Sequence, residues 1–223
     1  MKKIREKNIL IVVTNASKLD DFNKTGVWLE EFALPFLTFK EKGCKVVIAS
    51  PLGGLAPVDE NSLQCKNPTE WDYTIKDLKD TQKLSDINPD EYDAIFLPGG
   101  HGPMIDLAQD ELLGKIVSDF YNKHKIVAAV CHGPAGLLNA KTITGEPIVK
   151  GMQVTSFTNK EEKLVNKDKV VPFLLESKLK QLGAYFSESS AWEENVVDEN
   201  LITGQNPQSS RLIAETLIKK MKL

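Results

Sequence analysis

Short runs of apolar and β-branched residues recur along this chain, and most of them lack the polar–apolar alternation of a half-exposed strand. They are NILIVVT (8–14), KVVIAS (45–50), YDAIFLPGG (92–100), IVAAVC (126–131), MQVTSF (152–157) and NLITGQN (200–206). A run of this kind is a strand covered on both faces, the condition of strands in a parallel sheet. Segments of helical period lie between them, near 26–42, 110–123, 133–139, 172–182 and 209–221. Strand and helix in alternation predict an α/β fold, a doubly wound and mostly parallel sheet with helices on both faces. Chemistry in such a sheet belongs outside the carboxyl ends of the strands, where ligands bind.

A chain of 223 residues buries one large core, so a single domain over 1–223 is expected. The exception to the pattern is Pro51 to Pro89, rich in Pro, Asp, Asn and Lys, which reads as an irregular excursion or small lid. The net charge is -3 with both signs interspersed, which leaves no field to draw in nucleic acid or an anionic membrane. MKKIREKNILIVVTNA places lysines before an apolar run, but the run is too short for a secretory signal and fits a first strand better. No stretch approaches transmembrane length. Three cysteines at wide spacings suit neither a disulfide framework nor a Cys-x-x-Cys metal site, and point to a reducing, cytoplasmic setting.

Three strand ends carry reactive residue types: PGGHG (98–102), CHG (131–133) and TGQNPQSS (203–210). Cys131 with Gly133 at a strand-to-helix turn is the thiol version of a nucleophile elbow. The turn exposes the sulfur over the first turn of a helix, whose N–H groups favour thiolate, and a thiol acidity well below that of free cysteine is expected. Gly133 relieves crowding at the turn. The His132 N–H and the pair Gly99–Gly100 on the neighbouring strand end are candidate oxyanion donors. From the residues alone, the His132 ring serves equally well as a catalytic or a surface group. His101 and His124 sit in loops; three scattered histidines make no metal site, and no catalytic metal is expected. Cys44 and Cys65 read as small hydrophobes.

A carboxylate joins these groups in NKTGVWLEEFALPFLTFKEKG. Trp28, Leu29, Phe32, Ala33, Phe36 and Leu37 form a stripe facing the sheet, interrupted by Glu30 and Glu31. Pro35 removes the helical hydrogen bond to the Glu31 carbonyl, so a kink is expected there. Either glutamate next to that kink suits a partly desolvated acid of raised pKa, or both are solvated.

Together AVCHGPAGLL, FLPGGHGPMIDL, TGVWLEEFALPF and ITGQNPQSS resemble the PfpI superfamily, the parkinsonism-associated deglycase and its relatives, from first strand to last helix. The pattern T-G-x-x-x-x-E-x-x-x-P is similar to that of the branch of heat-shock chaperones and glutathione-independent glyoxalases. The resemblance implies a flavodoxin-like fold. It further implies that Cys131 is the nucleophile with His132 as partner, that Glu31 rather than Glu30 hydrogen-bonds the sulfur, and that an acidic residue after the elbow orients the histidine. Glu162 is the better ungapped match for the last, with Glu161 the alternative, and the unused glutamate reads as a solvated helix start. TGQNPQSS would line the periphery, although a turn at Asn206-Pro207 and a serine N-cap explain it locally. The superfamily is related to class I glutamine amidotransferases, but their triad takes its histidine from a later strand, and no histidine follows His132 here.

The implied activity is that of a glutathione-independent glyoxalase, a D-lactate dehydratase of the lyase class, turning methylglyoxal or glyoxal into lactate or glycolate. Cys131 would form a hemithioacetal, its oxyanion held by Gly100 and His132 N–H groups, and Glu31 or His132 would move a proton between adjacent carbons. No cofactor is expected. The partner is a small dicarbonyl, and relatives suggest a homodimer. The rival readings are a deglycase acting on protein or nucleotide adducts, and a stress holdase whose Cys131 senses oxidation.

Overall fold

The computed structural model describes residues 6–64, 71–193, 195–198 and 201–223; Cys65 and the start of the expected strand at Asn200 lie outside them. The strands are β1 (Asn8–Val12), β2 (Lys45–Ser50), β3 (Gln82–Lys83), β4 (Ala94–Leu97), β5 (Ile126–Val130), β6 (Gln153–Val154), β7 (Tyr185–Phe186), β8 (Val196–Asp198) and β9 (Leu201–Gly204). Seven of these form one sheet in the order β3-β2-β1-β4-β5-β9-β8. Every pairing in it is parallel except that of β8 with β9. The strand order runs outward from β1 to β3, then restarts at β4 on the other side. The crevice between the carboxyl ends of β1 and β4 is therefore the topological switch point.

Helices cover both faces because each strand is apolar on both. Ile9 and Ile11 of β1, Phe96 of β4 and Ala128 and Val130 of β5 pack with α1 (Leu29–Glu41) and the C-terminal helix Ser210–Lys220 through Phe32, Phe36, Phe39, Ile213 and Leu217. The alternate residues Leu10, Val12, Ile95, Leu97, Val127 and Ala129 meet α2 (Glu111–Asn122) through Leu113, Ile116, Val117 and Phe120. Burying each of the Val, Leu, Ile and Phe side chains among these stabilises by about 1.5–3 kcal/mol. Two further helices, α3 (Asn159–Leu164) and α4 (Leu175–Gln181), precede the C-terminal one, α5. Among the described residues no helix is long and apolar enough to cross a membrane.

Several expected elements differ. MQVTSF does not join the main sheet: Gln153 and Val154 pair with Tyr185 and Phe186 in a separate two-stranded sheet, and β9 takes antiparallel β8 as its outer neighbour instead. Strands as short as β3 and β8 present too few residues to show a period. The helix expected at 133–139 is a 3-10 segment, Gly133–Leu137, because Gly133, Pro134 and Gly136 give it low helix propensity. The helix expected from 26 begins at Leu29. The preceding residues are committed elsewhere, with Val27 bridged to Val58 and the Trp28 N–H donating to the Gly99 carbonyl (3.1 Å). The helix then runs through Pro35 to Glu41. Helix α3 has no apolar stripe; it forms on a capping box in which Thr158 and Glu161 satisfy each other's backbone N–H groups.

Candidate active site

The chain reverses sharply at Cys131, whose φ of 59° lies in the left-handed region. A non-glycine residue there costs about 1–3 kcal/mol and persists only when its surroundings hold it. Two backbone bonds do so: the Cys131 N–H donates to the Gly204 carbonyl and the Cys131 carbonyl accepts from the Phe157 N–H, each at 2.9 Å. Gly133 passes so close to strand β4 that a Cβ would collide with the Leu97 carbonyl. The elbow is thus a product of three neighbouring strand ends.

The thiol meets an imidazole from its own neighbour in sequence. Cys131 Sγ lies 3.3 Å from His132 Nδ1, and His132 Nε2 lies 2.8 Å from Glu162 Oε2. The reversal at Cys131 permits what an extended strand would forbid, two successive side chains turned toward each other. Glu162 reaches the site from α3. Its other oxygen, Oε1, is 2.6 Å from Nε2 of His101, and the two rings lie 4.1 Å apart between centroids. Glu161 points elsewhere. Besides closing the capping box, its carboxylate accepts from the Trp192 N–H and the amides of Gln205 and Asn206. The expectation of a solvated second glutamate is corrected, since Glu161 is fully buried. Thr158→Ala, which removes the cap that places both glutamates, should lower stability by about 1 kcal/mol, read as a lower urea midpoint with unchanged slope.

Glu31 projects from the first turn of α1 into the switch-point crevice. Its Oε2 accepts the Gly99 N–H at 2.8 Å, while its buried Oε1 has no hydrogen-bond partner of normal geometry. The Cys131 thiol and the Gly100 N–H are its other near neighbours. Burial raises the Glu31 carboxyl to about 8, against the partial opposition of Cys131 and Gly99. The acid is therefore largely protonated at neutral pH. Glu30 is half-buried, and burial raises it too.

The expected acidic thiol is corrected. Burial first, and then the Glu31 carboxyl, push Cys131 well above the ordinary cysteine range. The segment after the elbow is a short 3-10 turn, too brief to supply the dipole of a helix, and Cys131 is only 4% exposed. Burial, and then the nearby His101, lower the His132 pKa. Burial alone would raise Glu162, but the two imidazoles outweigh it and hold the carboxyl well below its usual range. The resting site is thus a neutral thiol beside a neutral imidazole, with an ionised Glu162 behind and a protonated Glu31 in front. An ionised carboxylate only accepts, so both Nε2 atoms carry protons and His132 presents its Nδ1 lone pair to the thiol.

Cys131, His132, His101 and Glu31 line a cavity of about 340 Å³, walled by Trp28, Phe157 and Trp192 with Lys24 and Lys167 also on its lining, and Glu162 stands behind it. Gly100 lines it as well; its N–H approaches the Cys131 sulfur. The C-terminal motif reaches it through Pro207. Ser209 holds the N-cap position of α5 but makes no capping hydrogen bond, its hydroxyl donating to the Asn195 carbonyl instead. His101 is the residue that sequence reasoning set aside; the signal was its place directly after Gly99–Gly100 on the strand end nearest the elbow. The view of the histidines as scattered is likewise corrected, for ligand atoms of His101, His132 and Glu162 lie within 4.8 Å of one another. That set offers donors to a divalent metal, which would have to replace the two imidazole–carboxylate hydrogen bonds. His124 stays apart in the turn after α2.

Known proteins resemble this chain over nearly its whole length. Glyoxalase 3 of Candida albicans is 32% identical over 94% of this chain and 96% of its own. The glutathione-independent glyoxalase HSP31 of Saccharomyces cerevisiae is 32% identical over 97% of this chain and 98% of its own. Among solved structures, the rapid encystment protein of Francisella tularensis superposes with a TM-score of 0.89 at 36% identity, covering 96% of this chain and 99% of that one. With the DJ-1/PfpI family profile matching residues 22–220, and the elbow, switch-point crevice and strand order in place, the chain belongs to the DJ-1/PfpI family.

Proposed function

We propose that this protein is a cofactor-independent glyoxalase that converts methylglyoxal to lactate, and glyoxal to glycolate, at Cys131. The observation that carries the reading is the buried series Cys131–His132–Glu162 facing a protonated Glu31 across one cavity. The similarity to relatives named as glutathione-independent glyoxalases supports it.

The thiol proton passes to His132 Nδ1 as Sγ bonds the aldehyde carbon. The carbonyl oxygen, facing the Gly100 N–H, takes the Glu31 proton and becomes the hydroxyl of a hemithioacetal. The Glu31 carboxylate so formed removes the C1 hydrogen, and the imidazolium protonates the C2 oxygen to complete an enediol. Glu31 then delivers its proton to C2 while the C1 hydroxyl gives up its own to the same carboxylate. The product is a lactoyl thioester on Cys131, with Glu31 protonated and His132 neutral. Water cleaves the thioester to lactate and regenerates the thiol. The oxidation of C1 is balanced by reduction of C2, so no external redox partner enters.

The test is direct. Protein freed of glutathione and treated with chelator should consume methylglyoxal and yield an equal amount of lactate. A well-folded preparation that makes no lactate overturns the reading. One observation favours a broader substrate range: a three-carbon dicarbonyl leaves much of the cavity of about 340 Å³ unfilled. An adduct-cleaving activity on glycated amines would use this surplus, and release of free amine after removal of all free dicarbonyl would reveal it.

A further inference from the structure

Glu162 holds two imidazoles, and the mechanism above uses one. His101 Nε2 donates to Oε1 at 2.6 Å and His132 Nε2 to Oε2 at 2.8 Å, so both rings are oriented by the same carboxylate in the same way. In each ring Nδ1 is then the nitrogen that Glu162 does not engage. That of His132 faces Sγ; that of His101 has no partner among the described residues. The His101 ring lines the cavity, packs against His132 and Phe157, and its side chain is 14% exposed. It is a positioned imidazole to which the route so far gives no task.

The glyoxalase route has one step to which no base has been assigned. Once Cys131 is acylated, water must lose a proton as it attacks the thioester, while His132 Nδ1 lies beside the sulfur that leaves. We propose that His101 is the general base of this step, an inference that rests on the glyoxalase reading. A water proton moves to His101 Nδ1 as the water oxygen bonds the lactoyl carbonyl carbon. The C–S bond then breaks with its electron pair on Sγ, lactic acid departs, and the imidazolium proton returns to the thiolate. Ring and thiol are restored, and the net change is one water added across the thioester.

His101→Gln separates this role from a structural one, because the glutamine amide keeps a donor for Glu162 but offers no basic nitrogen. Rapid mixing with methylglyoxal, acid quench and intact-protein mass should show one lactoyl group accumulating on Cys131 at close to the wild-type rate. Lactate release should then lag by about 10²–10⁴-fold, the usual contribution of a general base. Wild type should show little acylated protein. His101→Ala should behave alike and recover release in proportion to added imidazole, which keeps the test open if the glutamine variant does not fold. A folded His101→Gln protein that releases lactate at the wild-type rate overturns the assignment. So does one in which acylation and release slow together without acyl accumulation. A wild type that neither acylates nor releases lactate overturns the glyoxalase reading and this inference with it.

Discussion

Cys131→Ser should form no lactate above the uncatalysed rate while melting close to wild type. The proposed route passes through a covalent bond to Sγ, and a serine hydroxyl in the same buried position is far less acidic than a thiol already pushed upward by its surroundings. His132 would have to remove a much more tightly held proton with a base weakened by burial. The fold has little reason to respond. The side chains are near in volume, and the elbow is held by backbone bonds to Gly204 and Phe157 that the substitution leaves intact. Lactate assay and thermal melt on one preparation decide it: lactate formation by Cys131→Ser would sink the cysteine mechanism. Because the thiol rests protonated, alkylation of wild-type Cys131 at neutral pH should be slow and should not mark it as unusually acidic.

Glu31→Gln should move activity and stability in opposite directions. An acid raised from 4.5 unfolded to about 8 folded keeps its proton in the native state while the unfolded chain loses it. Below pH 4.5 both states are protonated and the group is neutral to stability. Between there and pH 8 the native state binds more protons, so stability falls by about 1.4 kcal/mol per pH unit and levels off above. Glutamine escapes that penalty and still accepts the Gly99 N–H. At pH 7 the variant should be more stable by about 3 kcal/mol, a rise of roughly 6–12 °C in Tm, and the gain should vanish near pH 4.5. Turnover should drop by roughly two to four orders of magnitude with the loss of the proton carrier. In wild type, kcat/KM should fall as pH rises through about 8, where Glu31 of the free enzyme ionises, and this limb should be missing in the variant. Glu30→Gln should show neither effect in comparable size. A pH-independent Tm difference between wild type and Glu31→Gln would mean that Glu31 is not held protonated.

Burial of this acid also explains its position at the switch point. A carboxyl raised so far opposes stability at neutral pH, and proteins keep such groups where chemistry uses them. Glu161 is the instructive contrast. It too is fully buried, but with backbone and amide donors on both oxygens, so its burial is satisfied and it holds α3, Trp192 and the Gln205–Asn206 segment together. Adjacent glutamates in one helical turn thus play separate roles because they point to different neighbours.

Much was legible in local pattern. The six apolar runs located the five main parallel strands within a few residues, and the glycine, histidine and cysteine residues at their carboxyl ends marked the site. Those signals are local: β-branched runs, an elbow glycine and the spacing of Glu31 before Pro35 operate within a few residues of one another. The resemblance carried by four motifs added Glu162. His101 was missed because its place after Gly99–Gly100 marks a strand end but does not show that the imidazole is anchored; the anchor is Glu162, which a later helix brings in. The 152–157 run was misplaced for the same kind of reason, since β6 pairs with the distant β7.

The sequence by itself determined the five main strands and the candidate groups at their ends, Cys131, His132 and the Glu30–Glu31 pair, because each rests on a pattern within a short segment. Tertiary structure alone decided their protonation. Whether Cys131 is a thiol or a thiolate, and Glu31 an acid or a carboxylate, depends on how much water is excluded and which charges arrive from α1, β4 and α3. Desolvation and Coulomb interaction act through space, and no spacing along the chain records the distances that set them.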